Sequence, residues 1–314
     1  MARALPQDTP RAEPRTKPQP PVPDREKTAA RLLASSAKKF YDPEVDIDWA
    51  APLAEGKGFM LPHRVSLYGT PMWDRMSEEQ RLELGRHEAA TIASVGLWFE
   101  ILLMQMLLKA AYNGDPTKRH TQYALTEIAE ECRHVTMFAR FVERIGCPAY
   151  GPQPYVHKLA KLLPTLAYGP AMYGSILVAE EVLDRLQREM AAADSVQPLM
   201  RMVNRIHIME EARHVTYARE EVLRGVGHLG RAERRYQQFT IALVSYFISR
   251  SLIHPDAYAA VGLDPKEAWR TAHANPHYRA TLLFGGERIM PFLDDAGLVG
   301  PPGKPLWRKA YLLP

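Results

Sequence analysis

The feature that most constrains this chain is a seven-residue segment that occurs twice. Glu130-Glu131-Cys132-Arg133-His134-Val135-Thr136 is matched at six of seven positions by Glu210-Glu211-Ala212-Arg213-His214-Val215-Thr216, 80 residues later. One Glu-x-x-His means little, because surface helices are rich in Glu and Arg; two copies at equivalent places call for a common cause. The same offset of 80 relates Glu100 to Glu180, and each lies 31 residues before the Glu of its Glu-x-x-His. The midpoints of these pairs, 115.5 and 195.5, fall on the turn formers Asn113-Gly114-Asp115-Pro116 and Asp194-Ser195. In an antiparallel helix pair, residues equidistant from the turn stand at one height, because both helices rise equally per residue. Glu100 is thereby set against Glu131 and His134, and Glu180 against Glu211 and His214. Within each motif, Glu and His three apart share a helix face.

The rest of the pattern is helical, with almost no strand alternation. Ser77-Glu78-Glu79-Gln80 has the form of a capping box and opens a helix that runs to Asn113-Gly114. Asp115-Pro116 predicts the start of a second helix, lasting to Gly146. A loop rich in Pro and Tyr leads to a third from about Pro170 to Ala193. Asp194-Ser195 predicts the cap of a fourth that reaches Gly225. Another spans about Arg231 to Ser251, and shorter pieces start near Pro265 and Pro276. The fold class expected is all-α: a ferritin-like helical bundle whose two helix hairpins carry a dimetal site, with additional C-terminal helices. Residues 1–39, with seven prolines in the first 25, read as a flexible tail, and 40–314 as a single domain.

Glu100 sits in an apolar stretch, between Gly96-Leu97-Trp98-Phe99 and Ile101-Leu102-Leu103-Met104. Burying its carboxylate alone would be very costly, so it needs a partner. Four carboxylates and two imidazoles on four helices match the dimetal pattern of one Glu from each of two helices and Glu-x-x-His from each of the others. Such hard oxygen and imidazole donors suit iron or manganese. His207 departs from the symmetry, since its counterpart 80 residues earlier is Glu127. It lies on the stripe of Glu211 and His214. Two readings stand for it: a core histidine bonded to Glu211, or a seventh ligand that makes the two metal positions unequal.

Charge and cysteine content exclude other classes. The formal charge of +4 is concentrated in residues 1–39, which hold nine Lys/Arg against four Asp/Glu, so the remaining chain is close to neutral. No nucleic-acid partner is expected. The longest apolar run, Ile101 to Tyr112, is broken by Gln105 and Lys109, so no membrane span is expected. Cys132 and Cys147 make neither a disulfide framework nor a zinc set, and without a secretory pattern the expected setting is cytoplasmic.

At these residues the chain resembles the diiron N-oxygenases of the p-aminobenzoate N-oxygenase (AurF) family, to which the arylamine oxygenase of the chloramphenicol pathway belongs. That family carries the doubled pattern and adds one histidine four residues before the second motif's Glu. Ferritins and ribonucleotide reductase small subunits generally lack this histidine. The resemblance implies that Glu100, Glu131, His134, Glu180, His207, Glu211 and His214 hold two iron ions. It chooses Glu180 over Glu181. It implies O2 as co-substrate and an arylamine oxidised through hydroxylamine and nitroso stages to a nitro compound, in secondary metabolism such as antibiotic biosynthesis. It further implies an external electron donor such as a reductase or ferredoxin, and a homodimer.

Glu130 and Glu210, before each ligand Glu, either bond the histidines and fix their tautomers or pair with Arg133 and Arg213; Glu127 joins them as a supporting residue. Trp98, Phe99, Val95 and Leu183 are candidates for a substrate pocket, with Arg288 as an anion partner or a solvated arginine paired with Glu287 or Asp294. Tyr173 and Tyr217 raise a radical-tyrosine alternative. Two rival functions use the same ligands: a diiron hydroxylase acting on carbon of a lipid or carrier-bound amino acid, and an iron-storage bundle without organic chemistry. The roughly ninety residues after Gly225 argue against storage.

Overall fold

The computed structural model describes residues 22–314. Eight helices of ten or more residues occur among them: α1 (Arg25–Lys38), α2 (Glu78–Tyr112), α3 (Arg119–Arg144), α4 (Pro170–Ala192), α5 (Pro198–Val226), α6 (Arg231–Ser251), α7 (Pro265–Ala274) and α8 (Pro276–Gly286). The capping box forms as expected at the start of α2: Ser77 Oγ accepts from Gln80 N–H and Gln80 Oε1 accepts from Ser77 N–H. At the end of α3, Gly146 takes φ +66° and Cys147 N–H reaches back to Val142 C=O at 3.2 Å. This left-handed closure is one that glycine adopts without steric cost.

Two helix starts differ from expectation. Asp115 is spent on a turn, accepting from Thr117 N–H at 2.9 Å, so α3 begins at Arg119. Likewise α5 begins at Pro198, not beside Asp194, because Pro198 is pre-set for a first turn. The larger correction concerns the tail. Residues 25–38 form α1: Asp24 caps it through Lys27 N–H at 2.9 Å, and Ala29 and Leu32 are buried against the bundle. Arg25 forks onto Glu221 at 2.8 and 2.7 Å. Glu26 accepts the Arg119 N–H at 2.8 Å, supplying the cap that α3 lacks in its own sequence. The His120 imidazole and that N–H hold the Glu26 carboxyl down to about 2. The proline density that suggested a tail lies before Asp24, whereas residues 25–38 are helical. The expectation for residues 1–21 lies outside the described residues.

α2 with α3, and α4 with α5, form two antiparallel hairpins, joined by the long connection 145–169 that carries two short helices. One long crossover between two hairpins is the ferritin-like arrangement. α3 packs on α5 and α2 on α4, closing the four-helix bundle. α4 is its central helix, buried at every residue from Pro170 to Leu183. The C-terminal helices account for this: α6 and α8 both lie on α4. At Gly285 a side chain would sit 2.9 Å from Val182, so α8 approaches α4 as closely as backbone allows. By length and composition α2 could cross a membrane, yet most of its apolar stretch is buried within the bundle.

The apolar core divides in two. One cluster gathers Leu84, Ala93, Phe141, Leu186 and Val203; the other gathers Leu103, Tyr123, Ile176, Tyr217 and Val222. On each of the four bundle helices the break between them falls at the glutamates and histidines of the repeat. The polar layer is thus sandwiched inside the bundle, where each group must find partners.

Candidate metal centre

Seven glutamates (Glu100, Glu127, Glu130, Glu131, Glu180, Glu210, Glu211) and three histidines (His134, His207, His214) are buried in this layer. The two hairpins meet as the midpoint arithmetic requires. His134 Nδ1 lies 3.0 Å from Glu131 Oε2 and 3.3 Å from Glu211 Oε1; His214 Nδ1 lies 2.9 Å from Glu211 Oε1 and 3.1 Å from Glu131 Oε1. Glu131 and Glu211 therefore stand between both histidines.

Each histidine turns its other nitrogen to the opposite hairpin. His134 Nε2 is 2.9 Å from Glu210 Oε2, and His214 Nε2 is 2.7 Å from Glu130 Oε2. Arg213 Nη2 donates to Glu130 Oε1 at 2.7 Å, while Arg133 stands 3.8 Å from Glu210. The two readings of Glu130 and Glu210 are thus not exclusive, because each carboxylate touches both a histidine and an arginine. Burial alone would raise Glu130, but its bonds from His214 and Arg213 bring it down to about 2. Burial would likewise lower His134 and His214, yet the carboxylates around them hold both well above the ordinary imidazole value.

His207 is oriented the other way. Its Nδ1 lies 2.8 Å from Gln187 Oε1, and its Nε2 faces Glu100 at 3.3 Å, Glu211 at 3.8 Å and Glu180 at 3.9 Å. The contact with Glu211 is too long for the hydrogen bond that a core histidine would make. Gln187 accepts the Nδ1 proton, and Nε2 is the ring nitrogen that faces the three carboxylates, within hydrogen-bond distance of Glu100 Oε1. Glu181 leaves the cluster entirely and forks onto Arg219, 2.7 Å from its Nε. Glu127 lies beside Glu131 and His214, and burial pushes it up to about 8.

The layer suits a cation pair. Glu100 Oε2, Glu127 Oε2 and Glu211 Oε2 are buried oxygens without a donor. Glu180 is held far above the usual carboxylate range by burial and then by Glu211, Glu131 and Glu100. Four overlapping groups, Glu100/His134/His207, Glu127/Glu131/His214, Glu131/His134/Glu211 and Glu180/His207/Glu211, bring their donor atoms within 4.8 Å of one another. All donors are carboxylate oxygen or imidazole nitrogen, the set that iron and manganese accept.

A cavity of about 40 Å³ opens on one side of the layer, bounded by Glu100, Glu180 and His207. Of the expected pocket residues, Val95, Phe99 and Leu183 line it. Trp98 does not: its ring covers Gly151, 6.1 Å from the His157 ring, because it points away from the bundle axis. Arg288 is exposed at the start of a short helix, Ile289–Asp295, and Glu287 pairs with Arg185 at 3.0 Å instead. Sequence reasoning missed Gln187 and Asn204, which also line the cavity. They are equidistant from 195.5, so the arithmetic that paired the repeat's glutamates and histidines would have paired them too. It missed Ile248 and Leu252 as well, which α6 and the residue after it bring to the same cavity.

Comparison with known proteins adds the following. The sequence model described as p-aminobenzoate N-oxygenase AurF matches residues 22–297. The chain belongs to the AurF family. Rv0885 of Mycobacterium tuberculosis (strain ATCC 25618 / H37Rv) and Mb0909 of Mycobacterium bovis, both uncharacterized proteins, are each 30% identical over 301 residues, covering 89% of this chain and 85% of theirs. Among solved structures, an R2-like ligand-binding oxidase with an anaerobically reconstituted Mn/Fe cofactor aligns at TM-score 0.48 and 14% identity, over 88% of this chain and 93% of that one. A second, aerobically reconstituted, aligns at TM-score 0.41 and 13% identity, over 91% and 89%. The AurF match takes in α1 and the whole helical layer, along with α6 to α8. As a member of the AurF family, the chain is an oxygenase built around a dimetal centre.

Proposed function

We propose that the chain is a diiron N-oxygenase that uses O2 to oxidise the amino group of an aromatic amine. The observation that carries the reading is His207, whose Nε2 is turned onto Glu100, Glu180 and Glu211 while Gln187 holds its Nδ1. In this reading Glu100, Glu131, His134, Glu180, His207, Glu211 and His214 would hold the two irons. When bound, the pair supplies the electrons that activate dioxygen for transfer of an oxygen atom to the amine nitrogen. An external donor restores those electrons.

The protein's own groups do the rest. Glu130 and Glu210 keep the Nε2 protons of His214 and His134 and so leave each Nδ1 free to face a cation. Phe99, Phe138 and Leu183 wall the cavity side with apolar surface and keep bulk water from the layer. The cavity is small as it stands, so binding an amine requires it to widen. The apolar wall also supports a second reading, hydroxylation of carbon on an apolar substrate.

The test is to mix iron-loaded, chemically reduced protein with oxygen, with and without a panel of anilines, and identify products by mass spectrometry. Hydroxylamino, nitroso or nitro products support N-oxygenation. Ring or alkyl hydroxylation would transfer the assignment to carbon. Iron oxidation to a mineral with no organic product would overturn the oxygenase reading.

A further inference from the structure

The cavity beside His207 has an unusual lining for a site that must recognise something. Among the described residues no Lys or Arg borders it, and two of its walls are the carboxylates of Glu100 and Glu180. Outside the glutamates and His207, its polar members are Gln187 and Asn204. Gln187 is engaged with His207. Asn204 is 1% exposed, and its Nδ2 has no acceptor. A buried amide donor without a partner costs stability, and native proteins rarely keep one without a use.

The position of Asn204 indicates that use. It lies three residues before His207 and seven before Glu211, on the stripe of α5 that faces the layer. That places it about one helical turn, roughly 5 Å along the axis, from His207. Met190, Met200, Val203 and Ile92 line the same cavity with apolar surface. A bound molecule reaching from the layer into this space would meet the Asn204 and Gln187 amides and otherwise hydrocarbon.

We infer that Asn204 is a specificity-determining residue: its Nδ2 donates to a neutral acceptor, such as a carbonyl oxygen, on an uncharged aromatic substrate, and the cavity rejects carboxylated amines. The inference rests on the oxygenase reading for which atom reacts, but not for what binds. A carboxylate at the Asn204 end of this cavity would find no cation among the described lining side chains, and burying it there costs far more than burying a neutral group. A neutral carbonyl needs only the one donor that Asn204 holds ready.

The experiment uses the full-length, iron-loaded protein under anaerobic conditions, with binding followed by calorimetry. Three amines of similar shape serve as probes: 4-aminoacetophenone, 4-ethylaniline and p-aminobenzoate. Wild type should bind 4-aminoacetophenone about 10-fold tighter than 4-ethylaniline, the worth of one hydrogen bond. It should bind p-aminobenzoate more weakly than 4-aminoacetophenone by about 100-fold or more. Asn204→Leu, close in volume, should abolish the first preference with iron content unchanged. Asn204→Ser, which keeps a hydroxyl donor and adds no bulk, should retain part of it.

Equal affinity for the acid and the ketone, or a ketone preference that survives Asn204→Leu, overturns the inference and leaves the oxygenase reading standing. So does a failure of all three probes to bind. Conversely, 4-ethylacetophenone, which has the ketone and no amine, separates the two claims. If it binds in an Asn204-dependent way and is hydroxylated on carbon, the anchor holds and N-oxygenation falls.

Discussion

Replacing Gln187 by Leu isolates the second half of the His207 argument. The substitution nearly conserves volume and removes only the acceptor that lies 2.8 Å from His207 Nδ1. Both residues are buried, 6% and 2% exposed, so water does not substitute for the lost acceptor. The imidazole then has two options. It keeps its proton on Nδ1 unpaired, at a cost of about 1–3 kcal/mol, or it moves the proton to Nε2 and gives up the lone pair aimed at Glu100, Glu180 and Glu211. Either way, binding of the metal that uses Nε2 weakens by the roughly 10–100-fold typical for loss of a histidine's outer partner. That is about 1.4–2.7 kcal/mol.

His207 has no counterpart at position 127, so only one of the two metal positions should weaken. Anaerobic ferrous titration against a competing chelator should therefore change from one step to two in Gln187→Leu. The control is the cycle with His207→Ala, in which removing Gln187 should have no further effect on iron affinity. Two irons bound at wild-type affinity by Gln187→Leu, or additive losses in the double variant, would refute the reasoning and return both residues to core packing.

Two further outcomes are expected. Glu180→Ala should lose about half the bound iron and Glu181→Ala almost none, since Glu181 is occupied by Arg219; metal analysis decides it, and the reverse pattern would shift the register of α4 by one residue. Outside the layer, burial pushes Glu88 up to about 7 despite its bonds from Ser66. The unfolded chain ionises it near 4.5 while the folded chain keeps its proton to about 7, so stability falls as pH rises through that window, by up to about 3 kcal/mol. Glu88→Gln should flatten this part of a urea-denaturation profile between pH 4.5 and 8, and an unchanged slope would count against it.

The bundle and its polar layer were legible in the sequence because a repeat and a turn midpoint together define height along antiparallel helices. That arithmetic needs no knowledge of side-chain packing, and it brought Glu100, Glu131, His134, Glu180, Glu211 and His214 together. It said nothing about direction around a helix at single positions. Trp98 and Phe99 are neighbours in sequence, yet a rotation of about 100° per residue sends one to the Gly151 loop and the other to the cavity. Arg288 was unreachable for another reason: its place depends on how α8 docks on α4, a contact far apart in sequence that Gly285 permits. Helix α1 has local signals of its own, the Asp24 cap and a run of Ala, Leu and Arg, and it was missed because the prolines before it drew its residues into the tail; Arg25 and Glu26 then anchor it on Glu221 and the N-terminus of α3.

The repeat is most informative where it breaks. Each hairpin offers a Glu, a Glu-x-x-His and a preceding Glu that reaches across to the other's histidine, an arrangement nearly symmetric between the two. At the one layer position where the halves differ, the first has Glu127 and the second His207. Glu127 lies with Glu131 and His214 on the side closed by Tyr123 and Tyr217, whose rings are 4.8 Å apart. His207 lies with Glu100 and Glu180 on the side where the cavity opens. The substitution thus puts an imidazole toward the cavity and an additional carboxyl toward the sealed wall. A symmetric layer would present equal faces. Here the two faces differ at a single residue pair, and Asn204, one turn beyond His207, continues the open side.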